Sequence, residues 1–191
     1  MILSNVAILR AIRDGRLQIG DLKGTENPGE PPFQTTAIDL HLGDTIAVPR
    51  GPAPAAFDLR KSGLIRQYLD ANSDRYAITE QQPFILQPST LVLASTREQV
   101  AFPIVPGKPA LSARVEGRSS VARCGILVHF TAPTIHARFL GTIALEIICL
   151  GKSPFLLSPG MAICQLIIER VEGKVIPTAN QFLGQSTPTG A

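Results

Sequence analysis

The sequence predicts a mostly-β fold, a sandwich or a barrel, on three observations. Sixteen prolines and sixteen glycines among 191 residues cut the chain into short segments, since both residue types favour turns and proline cannot donate to a β-ladder. Between the breaks lie short apolar or alternating runs at regular spacing, which is how sandwich and barrel strands read. Hydrophobic residues reach 45% while aromatics stop at 5%, with no tryptophan. Leu, Ile, Val and Ala must therefore build the core, and a chain of this length builds one.

Taken in order, Ser4 is an N-cap candidate and Val6, Leu9 and Ile12 follow at helical spacing until Gly15, so a short amphipathic helix opens the chain. Residues 20–33 hold Gly24, Pro28, Gly29, Pro31 and Pro32 and read as irregular loop. Over 36–43 the period changes to two, with Ile38, Leu40 and Leu42 on one face and Asp39 and His41 on the other, the pattern of a half-buried strand. Asp39 is expected to hold the scaffold through hydrogen bonds. A strand over 45–48 and a Pro/Ala-rich surface loop over 51–57 come next. Residues 58–80 carry no clear period, although Ile65, Tyr68 and Leu69 hint at a helical turn or two. Strands are then expected over 84–86, 90–95, 99–102, 111–115, 126–130, 142–150, 154–157 and 162–168. On the last of these, Gln165 is expected to satisfy a buried backbone group. One short helix, over 119–124, interrupts them, opened by serine and closed by Gly125. Residues 1–177 make one domain. The polar, Gly/Pro-rich tail, 178–191, has only Phe182 and Leu183 as anchors, and reads either as a frayed end or as a flap that closes over a ligand.

A net charge of +3 with scattered Lys and Arg argues against a nucleic-acid partner. No apolar run of membrane-spanning length and no signal-like start are seen, so a soluble, cytoplasmic protein is expected. Cys124, Cys149 and Cys164 are odd in number and set among apolar residues, the pattern of small buried hydrophobes rather than of a disulfide framework or a zinc site.

Chemistry concentrates between Arg114 and Ile148. Arg118, Ser119 and Ser120 stand at the start of the inserted helix, where free backbone N–H groups suit phosphate oxygens. Glu146 is the single acid in the run Thr142-Ile143-Ala144-Leu145-Glu146-Ile147-Ile148, apolar on both parities and so expected to be buried on both sides. A carboxylate there needs a partner: it is either half of an ion pair with an arginine, or a general base tuned by burial and a nearby arginine. His129 reads as a structural residue near this site. Walker-type and dinucleotide glycine patterns are absent, as is the His-x-Glu with Pro-Cys-x-x-Cys signature of zinc deaminases.

Several spaced motifs together resemble the dCTP deaminase branch of the dUTPase superfamily. They are Gly117-Arg118-Ser119-Ser120-Val121-Ala122-Arg123, Val128-His129-Phe130-Thr131-Ala132, Ala144-Leu145-Glu146, and Ser158-Pro159-Gly160-Met161 followed by Gln165. The resemblance implies a distorted, jelly-roll-like β-barrel of the dUTPase type, with a short N-terminal and one inserted helix. It further implies a homotrimer with sites between subunits, and conversion of dCTP to dUTP and ammonia without zinc. Glu146 would then activate the water, Ser119 and the Ala132 carbonyl would hold it, and Arg123 would stabilise the carboxylate. Arg118, Ser119 and Ser120 would bind phosphates, with magnesium carried by the triphosphate, and Val121, Ala122, Arg123, Ala144 and Leu145 would line the substrate. His136 stands where the family has an Asp, beside the sugar in deaminases and the hydrolytic water in dUTPases; Pro133-Thr134 replace a His-Arg pair, and Gln185 keeps a contact from the closing segment. The alternatives are a dUTP diphosphatase, a bifunctional deaminase–diphosphatase, and a nucleotide-binding homologue without turnover.

Overall fold

The computed structural model describes residues 1–20, 22, 27–51, 60, 62–176, 178 and 184–189. The expected loop over 51–57 lies outside them from residue 52 onward, and so do Gly24 and the tail anchors Phe182 and Leu183. Helix α1, Asn5–Arg13, begins at Ser4, whose side chain accepts from the Ala7 amide. Its buried face is Ile8, Leu9 and Ala11, while Val6, expected on that face, is exposed.

Strands β1 (Gln18–Ile19), β2 (Phe33–Gln34), β3 (Ala37–His41) and β4 (Thr45–Pro49) follow, then helix α2 (Ser62–Ala71) and strand β5 (Ser73–Ala77) in the segment left unassigned by periodicity. Next come β6 (Phe84–Leu86), β7 (Leu91–Ala101), β8 (Leu111–Gly117), helix α3 (Ser119–Ala122), β9 (Ile126–Val128), β10 (Thr134–Ile135), β11 (Leu140–Cys149), β12 (Phe155–Leu157) and β13 (Ala162–Arg170). One sheet runs β5-β4-β7-β11-β9, with β1 added to β7; a second runs β10-β8-β13-β3-β2; β12 and β6 pair separately. The inward residues of the two larger sheets, such as Val92, Leu145 and Ile147 against Ile38, Val115 and Leu166, belong to one apolar cluster. The architecture is mostly β and jelly-roll-like. The sheets do not close into a true barrel, which corrects that part of the expectation.

Two strand expectations change for a stated reason. The runs 90–95 and 99–102 are one strand, β7, because Thr96 and Glu98 between them are buried with partners while Arg97 points out to solvent. Thr96 Oγ1 donates to the Glu98 carbonyl and accepts from the Ile143 amide, and Glu98 takes the His41 backbone N–H and contacts its ring. Strand β3 is buried on both faces rather than half-buried: Asp39 is 7% exposed. Its Oδ1 accepts from Gln165 Nε2 at 2.9 Å and its Oδ2 from Gln34 Nε2 at 3.0 Å. Gln165 thus satisfies a carboxylate, where a backbone partner was expected. Of the three cysteines, Cys149 and Cys164 are buried and Cys124 is exposed, contrary to expectation; all are free.

Residues 184–189 dock on the chain's own sheet. The Gln185 carbonyl accepts from the Thr142 amide, the Gln185 side chain donates to the Thr142 carbonyl at 2.8 Å, and Thr189 bonds to Asp70. Gly141, at φ +149°, makes room: a Cβ there would lie 2.6 Å from the Gln185 carbonyl oxygen. Gly141→Ala is therefore expected to lift this segment off β11, read as faster hydrogen exchange at the Thr142 amide with the amides of β13 unchanged.

Candidate active site

Glu146 sits in β11 between two neighbours. Leu93 of β7 is its partner on one side. On the other, Val128 pairs with Ile147, which puts His129 opposite Glu146. The strand alternates: Ile143, Leu145 and Ile147 are at most 1% exposed, while Thr142, Ala144, Glu146 and Ile148 are half-buried. Burial on both faces, expected from composition, is therefore not seen. Just before Glu146 the register shifts, with Ile143 facing residues 96–98 of β7, and the Ile143 amide donates to the Thr96 hydroxyl.

The partner of Glu146 is a histidine, not the arginine expected. His129 Nδ1 lies 3.0 Å from Glu146 Oε2, its Nε2 is 2.9 Å from the Ala132 carbonyl, and its backbone N–H donates to the Glu146 carbonyl at 2.8 Å. The Nδ1–Oε2 line is at ion-pair distance without the alignment of a directed hydrogen bond, and both atoms are shut off from solvent. Burial raises the Glu146 carboxyl, but the His129 imidazole and the residue's own backbone amide outweigh it and leave the group below the ordinary glutamate value. Glu146 is thus a carboxylate at neutral pH, placed to accept a proton. His129 itself has φ +55° and ends β9 two residues before the run expected from sequence; histidine is among the residue types that enter this left-handed region more often than most.

Helix α3 is a single turn packed on β9. Its cap is Arg118, in extended conformation and without a side-chain cap bond, so Ser119 is the first helical residue rather than the cap. Gly125, at φ +82°, closes it where a Cβ would lie 2.7 Å from the Gly151 nitrogen. Ser119, Ser120, Ala122 and Arg123 are exposed, and Val121 is half-buried against the core. Arg123 makes no ion pair with Glu146 among the described residues. Arg118 reaches the other way: Nη2 is 3.6 Å from Asp39 Oδ2, and Nη1 donates to the Ala162 carbonyl at 3.5 Å.

Other expected contacts separate by position. Ala144 shares the face of Glu146, whereas the Leu145 side chain is fully in the core and cannot touch a ligand. Ala132 and His136 are exposed, His136 directly after β10, and Gln185 is buried on Thr142. His129, given only a structural role by sequence, is the residue that the structure adds to the site. A cleft of about 210 Å³ lined by Gln18, Gly20, Gln99 and Leu140 contains none of these residues. Among the described residues no three His, Cys, Asp or Glu side chains converge to hold a metal, and no helix is long and apolar enough to cross a membrane.

This arrangement of strands has a close counterpart in fold. The crystal structure of 2'-deoxycytidine 5'-triphosphate deaminase from Agrobacterium tumefaciens superposes over 89% of the chain with a TM-score of 0.64 and 19% identity, the chain spanning 47% of that longer one. At that identity the likeness defines the fold class. The chain itself belongs to the dCTP deaminase-like family, which it matches over residues 2–171. It is 34% identical to the dCTP deaminase of Thermomicrobium roseum, over 98% of this chain and 91% of that one. It is 36% identical to the dCTP deaminase of Natronomonas pharaonis, over 98% and 92%. A protein named dCTP deaminase, dUMP-forming, from Methanobrevibacter smithii is 34% identical over 88% and 79%.

Proposed function

We propose that the protein hydrolyses the 4-amino group of dCTP, giving dUTP and ammonia, with Glu146 as general base. The observation that carries this is a carboxylate kept ionised on an otherwise apolar strand, in a chain whose relatives over most of its length are named dCTP deaminases. Glu146 takes a proton from water as the oxygen attacks C4, and protons return to the base ring and the leaving nitrogen. Ser119 and the Ala132 carbonyl hold the water, and Arg123 orients the site. Arg118, Ser119 and Ser120 take the phosphates, with the backbone of Val121, Ala122 and Ala144 alongside and His136 near the sugar. Magnesium enters on the triphosphate and screens its charge. The exposure of α3 and of Phe130, Leu140 and Leu150 around β11 supports a homotrimer with the site completed by a neighbouring subunit, and light scattering tests it. The docking of 184–189 beside β11 supports a closing role for the segment 178–191.

Incubating the protein with dCTP, with dUTP and with magnesium, then separating the products, decides the reading. Formation of dUTP from dCTP supports it, and no dUTP or dUMP at high enzyme concentration removes it, leaving a nucleotide-binding homologue without turnover. The second reading, a bifunctional enzyme, is favoured by the name of the M. smithii relative; it requires dUMP and pyrophosphate from dCTP.

Arg118→Ala is expected to weaken dCTP binding by about 10–100-fold, the worth of a hydrogen bond to a charged group, and to leave deoxycytidine binding within about threefold. Calorimetry with both ligands checks it, and equal losses would remove the phosphate role.

A further inference from the structure

We propose that His129 is a positioning residue for Glu146, its imidazole spanning the gap between the Glu146 carboxylate and the Ala132 carbonyl. This rests on the role just given to Glu146. Two contacts tie the two residues together, the ring beside the carboxylate and the His129 backbone N–H on the Glu146 carbonyl, and a third, the ring on the Ala132 carbonyl, fixes the imidazole between them. The left-handed backbone at His129 is what turns the side chain back across β11 instead of letting β9 continue.

The ring's protonation follows from its partners. A carbonyl oxygen only accepts, so Nε2 carries a proton on the 2.9 Å contact to Ala132. A neutral ring would then present the Nδ1 lone pair towards a carboxylate oxygen 3.0 Å away, which is repulsive. The contact is attractive when the ring carries both protons. A cation held there offsets the burial that would otherwise protonate the base. No other titratable group bears on Glu146 among the described residues: β7 faces it with Leu93, β9 leads into His129, and Arg123 of α3 makes no ion pair with it.

The test follows the Glu146 carboxyl carbon by NMR against pH, its signal assigned by loss in Glu146→Gln, in wild type, His129→Asn and His129→Ala. Asparagine tolerates the left-handed backbone, so that variant keeps the turn while removing the ring. Its Glu146 midpoint is expected to rise by about one unit or more, the usual effect of losing a close opposite charge. For dCTP turnover, kcat falls about tenfold or more with KM nearly constant, and the acid limb of the pH profile moves up with the carboxyl. A residue that only supported the fold would lower stability and leave that limb where it is. An unmoved midpoint in folded His129→Asn overturns the proposal. Should both variants fail to fold, wild type decides: the Glu146 carbon must also respond at the pH where the His129 ring titrates, and silence there overturns it equally. If wild type does not convert dCTP, the functional reading fails while the titration still decides the role of His129.

Discussion

Glu146→Gln is expected to bind dCTP with an affinity within a few-fold of wild type and not to convert it. Glutamine keeps the length and shape of the side chain, so β11 and its neighbours are undisturbed, but an amide cannot take the proton that the attacking water must lose. A positioned general base contributes about 10²–10⁴ in rate; the loss in kcat should be of that size while calorimetric binding persists. Turnover that survives the substitution would assign the base elsewhere. The same variant carries a pH signature in stability. Because the Glu146 carboxyl is lower in the folded chain than its ordinary value, its ionised form contributes stability above the unfolded pKa, and that contribution disappears as pH falls through the folded pKa. The gap in Tm between wild type and Glu146→Gln should therefore narrow in acid.

How much of this the sequence carried depends on whether a feature is local. A one-turn helix closed by Gly125 and a long strand around Glu146 were legible, because a glycine stop and an apolar run declare themselves within ten residues. The His129–Glu146 pair was not, because it follows from the register Val128–Ile147 between β9 and β11, and no short window contains register. Strands β1, β2, β5 and β10 are two to five residues long and exist through pairing rather than through period. Polar residues inside β7 looked like a break since their partners, His41 and the Ile143 amide, lie on other strands. Leu145 is a different case: a strand alternates, so the side chain next to an open-facing Glu146 points into the core, and parity alone leaves only its backbone for a ligand.

Asp39→Ala should be the most damaging single change away from Glu146, and its effect should reach the phosphate end of the site. The carboxylate is the one acceptor shared by Gln34 on β2, Gln165 on β13 and, more loosely at 3.6 Å, Arg118 at the cap of α3. Removing it leaves two half-buried amide donors without their acceptor, each worth about 1–2 kcal/mol, the lower part of the range for an unsatisfied donor. The guanidinium adds less than a fully buried pair would, because the Arg118 side chain is a third exposed and water screens it. A loss of about 2–4 kcal/mol follows, and at about 2–4 °C per kcal/mol for a chain of this size Tm falls by roughly 5–15 °C. Asp39→Asn separates the causes. Its carbonyl still accepts one amide, so stability recovers in part, but the negative charge that draws Arg118 towards β3 is gone. Weakened dCTP binding in Asp39→Asn, measured at a temperature where the protein is fully folded and with deoxycytidine binding unchanged, would show that Asp39 aims Arg118. Unchanged dCTP binding would reduce Asp39 to a structural acceptor between β2 and β13 and leave Arg118 held by the Ala162 carbonyl alone.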